Sequence, residues 1–212
     1  GEYPEKLTKL QNLFMKEAET YSVLPIDDRL LVRTNAKAVG RPVLLGDRTS
    51  VTYYDGMHGL GVDIFMDLRN TSYTLSADVE IDHNGNGVMI CQGGRFGGLS
   101  FYLIEGKPAF SYNFLGLETT DIIADKPLSA GKYTIVYDFK YDGNGLGKGG
   151  VGTLIVNDKT VAKGRIEKTQ PGIFSVDDLA DIGIDEGTPV ADYGSKSSDF
   201  NGILNSVRVD VK

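Results

Sequence analysis

A lone cysteine, two histidines and several clustered carboxylates are the residues of this chain whose chemistry could hold a metal or break a bond. Cys91 alternates with Met89 in an apolar run, a position that suits a small buried hydrophobe better than a nucleophile. His58 and His83 sit beside glycines without a carboxylate at catalytic spacing, so they read as exposed loop residues. Glu80-Ile81-Asp82 sets two carboxylates on one strand face, as an acid and nucleophile pair for glycoside hydrolysis requires. The next carboxylate that such a strand needs is missing, since Asn84 and Gly85 follow, and the segment reads as a strand end. Asp142-Gly143-Asn144-Gly145 offers oxygen side chains two residues apart, as calcium loops do, but Thr153 stands where a closing carboxylate belongs. Asp181, Asp185, Glu186 and Asp192 form another acidic patch. Asp181, Asp185 and Asp192 are its candidate ligands for a structural calcium.

Three further features could bind without reacting. Gly93-Gly94-Arg95-Phe96-Gly97-Gly98 would let backbone N–H groups approach an anion, with the Arg95 guanidinium as a fork for sulfate or carboxylate. A strand follows it where a phosphate loop has a helix, so a bulged connection between strands is the stronger reading. Tyr102, Ser111 and Asn113 fall on the less apolar faces of a hairpin, where a sugar would be presented with Tyr102 stacking on it. Lys148, in a glycine-rich loop over residues 142–150, could rim a neighbouring site.

These side chains need strands to position them. Over residues 88–117, Leu99, Phe101 and Leu103 alternate with Ser100, Tyr102 and Ile104, and Phe110, Tyr112 and Phe114 alternate with Ala109, Ser111 and Asn113. That period of two predicts a hairpin with one apolar face and one water-facing face. Strands are also predicted over residues 49–54, 72–81, 119–124, 131–141, 153–159, 182–184 and 203–211. Ahead of them, Leu7, Leu10, Leu13, Phe14, Ala18 and Tyr21 recur at helical spacing behind Pro4, predicting one amphipathic helix over 4–21. An extended linker follows through residue 29, then a loop over 32–47. The expected division is helix and linker over 1–30 and a β-sandwich over 31–212.

Composition narrows the partners. The net charge of −7 leaves no basic stripe for nucleic acid or for an anionic membrane surface. A single cysteine precludes an internal disulfide framework or a cysteine-rich zinc site. The chain opens Gly1-Glu2 rather than with methionine, so it reads as an excised piece.

Several phrases together resemble one family. Tyr3-Pro4-Glu5-Lys6-Leu7 with Leu13, Glu17 and Tyr21-Ser22-Val23-Leu24-Pro25-Ile26-Asp27-Asp28-Arg29 is similar to the segment that follows the catalytic domain of large bacterial arylsulfatases. Gln92 to Gly98, Tyr112 to Gly116, Asp142 to Gly150 and Arg165 to Pro171 resemble that family's C-terminal β domain. Some ten short strands with turns between them predict an all-β, antiparallel two-sheet jelly-roll sandwich of concanavalin A-like type, behind one N-terminal helix. The resemblance implies a periplasmic or secreted parent enzyme that cleaves sulfate esters with calcium and a formylglycine. The family's Cys/Ser-x-Pro-x-Arg motif is absent, because Gly93 stands in Cys91-Gln92-Gly93-Gly94-Arg95 where proline is required. The expectation is therefore a non-catalytic accessory domain that docks its helix on a sulfatase catalytic domain, with no cofactor of its own beyond a structural calcium. The alternative is a free-standing carbohydrate-binding module.

Overall fold

The computed structural model describes every residue except 1, 27, 29–38, 43, 83, 176, 195 and 196. His83 and much of the expected 32–47 loop lie outside the described residues. Two compact units are formed, residues 1–43 and 44–212.

The first unit holds helix α1 (Pro4–Thr20). Pro4 fits the first turn because its missing N–H has no helical acceptor there, and Glu5 complements the positive end of the helix. The helix ends in a Schellman closure: Val23 N–H donates to Ala18 O at 2.8 Å and Ser22 N–H to Glu19 O at 3.3 Å. Ser22 carries the left-handed conformation, φ 55°, that this closure needs. Leu7, Leu10, Leu13 and Phe14 remain exposed along one stripe.

The second unit contains strands β1 (Ser50–Tyr53), β2 (Tyr73–Ile81), β3 (Gly87–Gly94), β4 (Gly97–Ile104), β5 (Lys107–Phe114) and β6 (Glu118–Ile123). It continues with β7 (Gly131–Tyr141), β8 (Lys148–Val156), β9 (Lys159–Lys168), β10 (Ala180–Ile182) and β11 (Ile203–Val211). They form a six-stranded sheet, β1-β11-β2-β7-β8-β9, and a five-stranded sheet, β10-β3-β4-β5-β6. Every ladder is antiparallel. The fold is the expected two-sheet jelly-roll sandwich.

The alternating residues explain the layers. Leu75, Ala77 and Val79 of β2 and Ile135, Tyr137 and Phe139 of β7 bury against Phe101 and Leu103 of β4 and Phe110 and Tyr112 of β5. The outward residues of the large sheet stay partly wet, as in Thr74, Ser76 and Asp78. The small sheet departs from that pattern. Residues 99–103 and 108–113 are buried on both faces, so the expected water-facing side of the hairpin does not exist. Residues 183–194 cross that outer face, and Ser198 O accepts from Val88 N–H at its edge. Within this outer segment, Val190 and Tyr193 bury Val88, Cys91, Tyr102 and Ala109 in a second apolar cluster.

Two glycine-rich stretches also differ from expectation. The predicted link over 93–98 is a tight hairpin with only Arg95-Phe96 at its tip, and Gly93, Gly94, Gly97 and Gly98 are paired ladder residues. A Cβ at Gly94 would lie 2.0 Å from Asp178 Oδ2 and 2.5 Å from Thr188 Oγ1, so glycine is required by close packing. The predicted loop over 142–150 ends earlier, because Lys148, Gly149 and Gly150 belong to β8. Tyr141 closes it: its hydroxyl accepts from Lys148 N–H at 2.8 Å and donates to Gly145 O at 2.9 Å.

Candidate functional site

A concavity of about 690 Å³ lies over the outer face of the five-stranded sheet. Tyr102 and Ile104 of β4 make its floor, Thr119, Asp121 and Ile123 of β6 one wall, and residues 189–193 with Ser197 and Ser198 the other. Strand register sets this out. Ser111 pairs with Asp121 and Asn113 with Thr119, so the polar residues of β6 continue the polar face of β5 outward to the sheet edge.

A hydrogen-bonded chain runs beneath the groove. Ser111 Oγ donates to Asp121 Oδ1 at 2.5 Å. The serine has one proton to give, so the Tyr102 hydroxyl, 2.9 Å away, must donate to Ser111. Burial raises the Tyr102 pKa, which keeps the phenol neutral and able to donate. The Tyr102 ring meets Tyr193 edge-on, centroids 5.0 Å apart. Tyr193 in turn donates its hydroxyl to Asp185 Oδ2.

Asn113 acts as a staple. Its Nδ2 donates to Arg95 O at 3.1 Å and lies 3.3 Å from both Gly94 O and Val190 O. Its Oδ1 accepts from Gly116 N–H at 2.8 Å. One buried amide thus ties the β3–β4 turn, the β5–β6 turn and the outer segment together.

The candidates read from sequence scatter accordingly. Tyr102 does face the groove, but at 2% exposure it cannot serve as an open stacking platform. Ser111 and Asn113 are buried beneath the surface, their polar atoms already engaged. Arg95 sits at the exposed hairpin tip, its guanidinium 5.3 Å from the centre of the Phe96 ring, and does not line the groove. The supposed anion cradle beside it is filled by the Asp178 carboxylate, which accepts from Thr188 Oγ1 at 2.6 Å. Lys148 is exposed on β8, in the other sheet. Asp142 is held by Arg165 at 2.6 Å, and that guanidinium keeps its carboxyl below the ordinary range. Glu80 pairs with Lys132 at 3.2 Å. His58, exposed as expected, has Nδ1 3.4 Å from Glu186 Oε1.

The acidic patch divides. Asp192 is exposed on the groove wall, its Oδ1 capping Gly194 N–H at 2.9 Å. Asp181 and Asp185 are buried instead, 5% and 8% exposed, which separates them from Asp192 as co-ligands. Sequence reading passed over Thr119 and Asp121, which the period of two in β6 places on one face with Ile123.

Asp121, Asp185 and Asp192 contribute carboxylates to the groove lining, and no lysine or arginine is among the described lining residues. The surface therefore offers hydrogen-bond acceptors, hydroxyls and two isoleucine side chains. It suits a ligand rich in O–H donors.

No family model matches the sequence, and no curated protein matches it. Solved structures with a similar layout include the LG1-3 region of the laminin alpha2 chain, at 9% identity and a TM-score of 0.43, over 77% of this chain. Domains LG4-5 of the mouse laminin alpha1 chain align over 79% at 12% identity and a TM-score of 0.45. The CBM40 of Ruminococcus gnavus IT-sialidase aligns over 77% of this chain and 89% of its own length, at 11% identity and a TM-score of 0.45. The chain spans 29% and 40% of the two laminin fragments.

Proposed function

We propose that this chain is a non-catalytic saccharide-binding module, and that the groove over the small sheet takes a neutral sugar. The carrying observation is the acceptor-rich wall. Asp121 and Asp192 face a concavity of sugar-binding size with Thr119 beside them, while Ile104 and Ile123 supply apolar surface for ring C–H groups. A sulfated or carboxylated glycan would meet like charge there. The test is a glycan array with the intact chain. Binding of neutral glycans that Asp121→Asn and Asp192→Asn weaken together supports the reading; a flat array, or a preference for sulfated glycans, overturns it.

A second reading has its own support. The exposed stripe of Leu7, Leu10, Leu13 and Phe14 on α1 is apolar surface that a larger protein could cover. With the arylsulfatase-like phrases, it favours an accessory domain of an exported sulfatase, docked by its helix on the catalytic domain. An upstream reading frame encoding Cys/Ser-x-Pro-x-Arg in the same protein would support this; an unrelated upstream domain would remove it.

A further inference from the structure

Beneath the outer segment, three ligating groups from separate parts of the chain converge. Asp181 of β10 pairs directly with Cys91 of β3, which sets their side chains on one face. Gly183, at φ 86°, then turns the chain so that Asp185 comes back over them. Cys91 Sγ and one carboxylate oxygen from each aspartate lie within 4.8 Å of one another, and all three residues are buried.

Most of this cluster's hydrogen-bonding capacity is assigned. Asp181 Oδ1 accepts from Gly59 N–H at 2.7 Å and Oδ2 from Glu186 N–H at 3.1 Å. Asp185 Oδ2 accepts from Val190 N–H at 2.9 Å and from the Tyr193 hydroxyl. Asp185 Oδ1 is different: it is fully buried with no hydrogen-bond partner, in a residue only 8% exposed. Neither aspartate forms an ion pair with a lysine or arginine among the described residues. Two neighbouring carboxylates out of water, one with an unpaired oxygen, call for a positive charge.

We propose that Cys91, Asp181 and Asp185 bind a divalent cation of the Zn²⁺ type, with Asp185 Oδ1, to which no N–H or hydroxyl donates, as one ligand. For three atoms so spaced, some point lies within about 2.8 Å of all of them, against about 2.3 Å for Zn–S and about 2.1 Å for Zn–O. Small side-chain shifts close that gap. The thiol selects the metal: calcium takes oxygen ligands, whereas sulfur with two carboxylates suits a borderline-soft ion. Ile184 O, 3.5 Å from Sγ, is a ready fourth donor. On binding, the Cys91 S–H bond breaks, an S–Zn bond forms and the proton leaves to solvent, with no change of oxidation state. Burial, then the charges of Asp185 and Asp181, hold the free thiol's pKa well above its usual value. A cation neutralises those same charges.

The proposal does not rest on the saccharide reading, although Asp185 also lines the groove, and its test is separate. The intact chain, freed of metal with chelator, is titrated with Zn²⁺ by calorimetry and with Co²⁺ by absorption. One equivalent of Zn²⁺, a rise in Tm and a thiolate-to-cobalt charge-transfer band are expected. Cys91→Ser should abolish that band and weaken Zn²⁺ at least tenfold, and Asp185→Asn should weaken it similarly, while Asp142→Asn changes neither. If Asp185→Asn fails to fold, the Co²⁺ spectrum of the unmutated chain and the Cys91→Ser titration decide. Absence of stoichiometric Zn²⁺ binding, or Zn²⁺ affinity untouched by Cys91→Ser, overturns the proposal.

Discussion

Tyr137 of the large sheet lies flat on Phe110 of the small one, ring centroids 3.5 Å apart and planes 6° from parallel. The hydroxyl of Tyr137 is carried into the core by that stack and has no hydrogen-bond partner. Burial raises its pKa well above the usual phenol value. Tyr137→Phe keeps the stack and removes the unpaired oxygen, so it should raise unfolding free energy by about 1 kcal/mol. Phe110→Ala should lower it by about 3–5 kcal/mol. Urea melts of both variants check the pair; a destabilised Tyr137→Phe would show that the hydroxyl has a partner.

Gly152 of β8 faces the same ring. A Cβ there would approach Tyr137 Oη to 2.3 Å and its ring carbons to 2.6 Å. Gly152→Ala should cost about 1–3 kcal/mol by forcing a well-packed aromatic to move. Thermal unfolding by circular dichroism measures it.

Asn113 ties three connections through one amide. Asn113→Ala would leave buried backbone carbonyls and an N–H without partners, so a loss of about 3 kcal/mol is expected. The effect should be local as well as global. Hydrogen exchange should accelerate around Gly116, whose N–H Asn113 holds, before the core strands exchange.

In the groove, Asp121→Asn should weaken a bound neutral glycan about tenfold by removing a charged acceptor. Arg95→Ala and Lys148→Ala should leave affinity unchanged, because neither side chain lines the groove. Calorimetry on the strongest array hit distinguishes them. A loss confined to Arg95→Ala would place the ligand at the hairpin tip instead.

Acidity gives an independent readout. Burial raises the Asp185 pKa above 3.8, outweighing the hydrogen bonds from Tyr193 and Val190 that oppose it. A raised folded-state value gives a contribution that is full below the unfolded value and is lost as pH rises through the folded one. In metal-free protein, the stability of Asp185→Asn relative to the unmutated chain should therefore climb with pH above about 4. A difference that stays flat with pH would contradict this.

The sandwich was legible because β2, β4, β5 and β7 carry a strict period of two that local sequence cannot hide. Its strands were found nearly to the residue in β2, β7 and β11. What sequence did not reveal was the cover. Ser100, Tyr102, Ser111 and Asn113 look like a wet face, and only the placing of Val190 and Tyr193 over them shows them to be dry. Thr119 and Asp121 become site residues through register with Asn113 and Ser111, which depends on pairing rather than composition. Cys91 and Asp181 are ninety residues apart in sequence and share a face only because β10 adds to the edge of β3. The glycines beside Arg95 serve close packing instead: Gly94 admits Asp178 and Thr188, and Gly97 admits the Phe174 carbonyl.

Asp185 belongs to both the groove lining and the buried sulfur–carboxylate cluster, and the five residues after it reach the backbone N–H that its Oδ2 holds. Thermodynamic reciprocity then applies. A cation that fixes Asp185 and a sugar that settles against residues 189–193 would alter each other's affinity by one and the same factor, in whichever order they arrive.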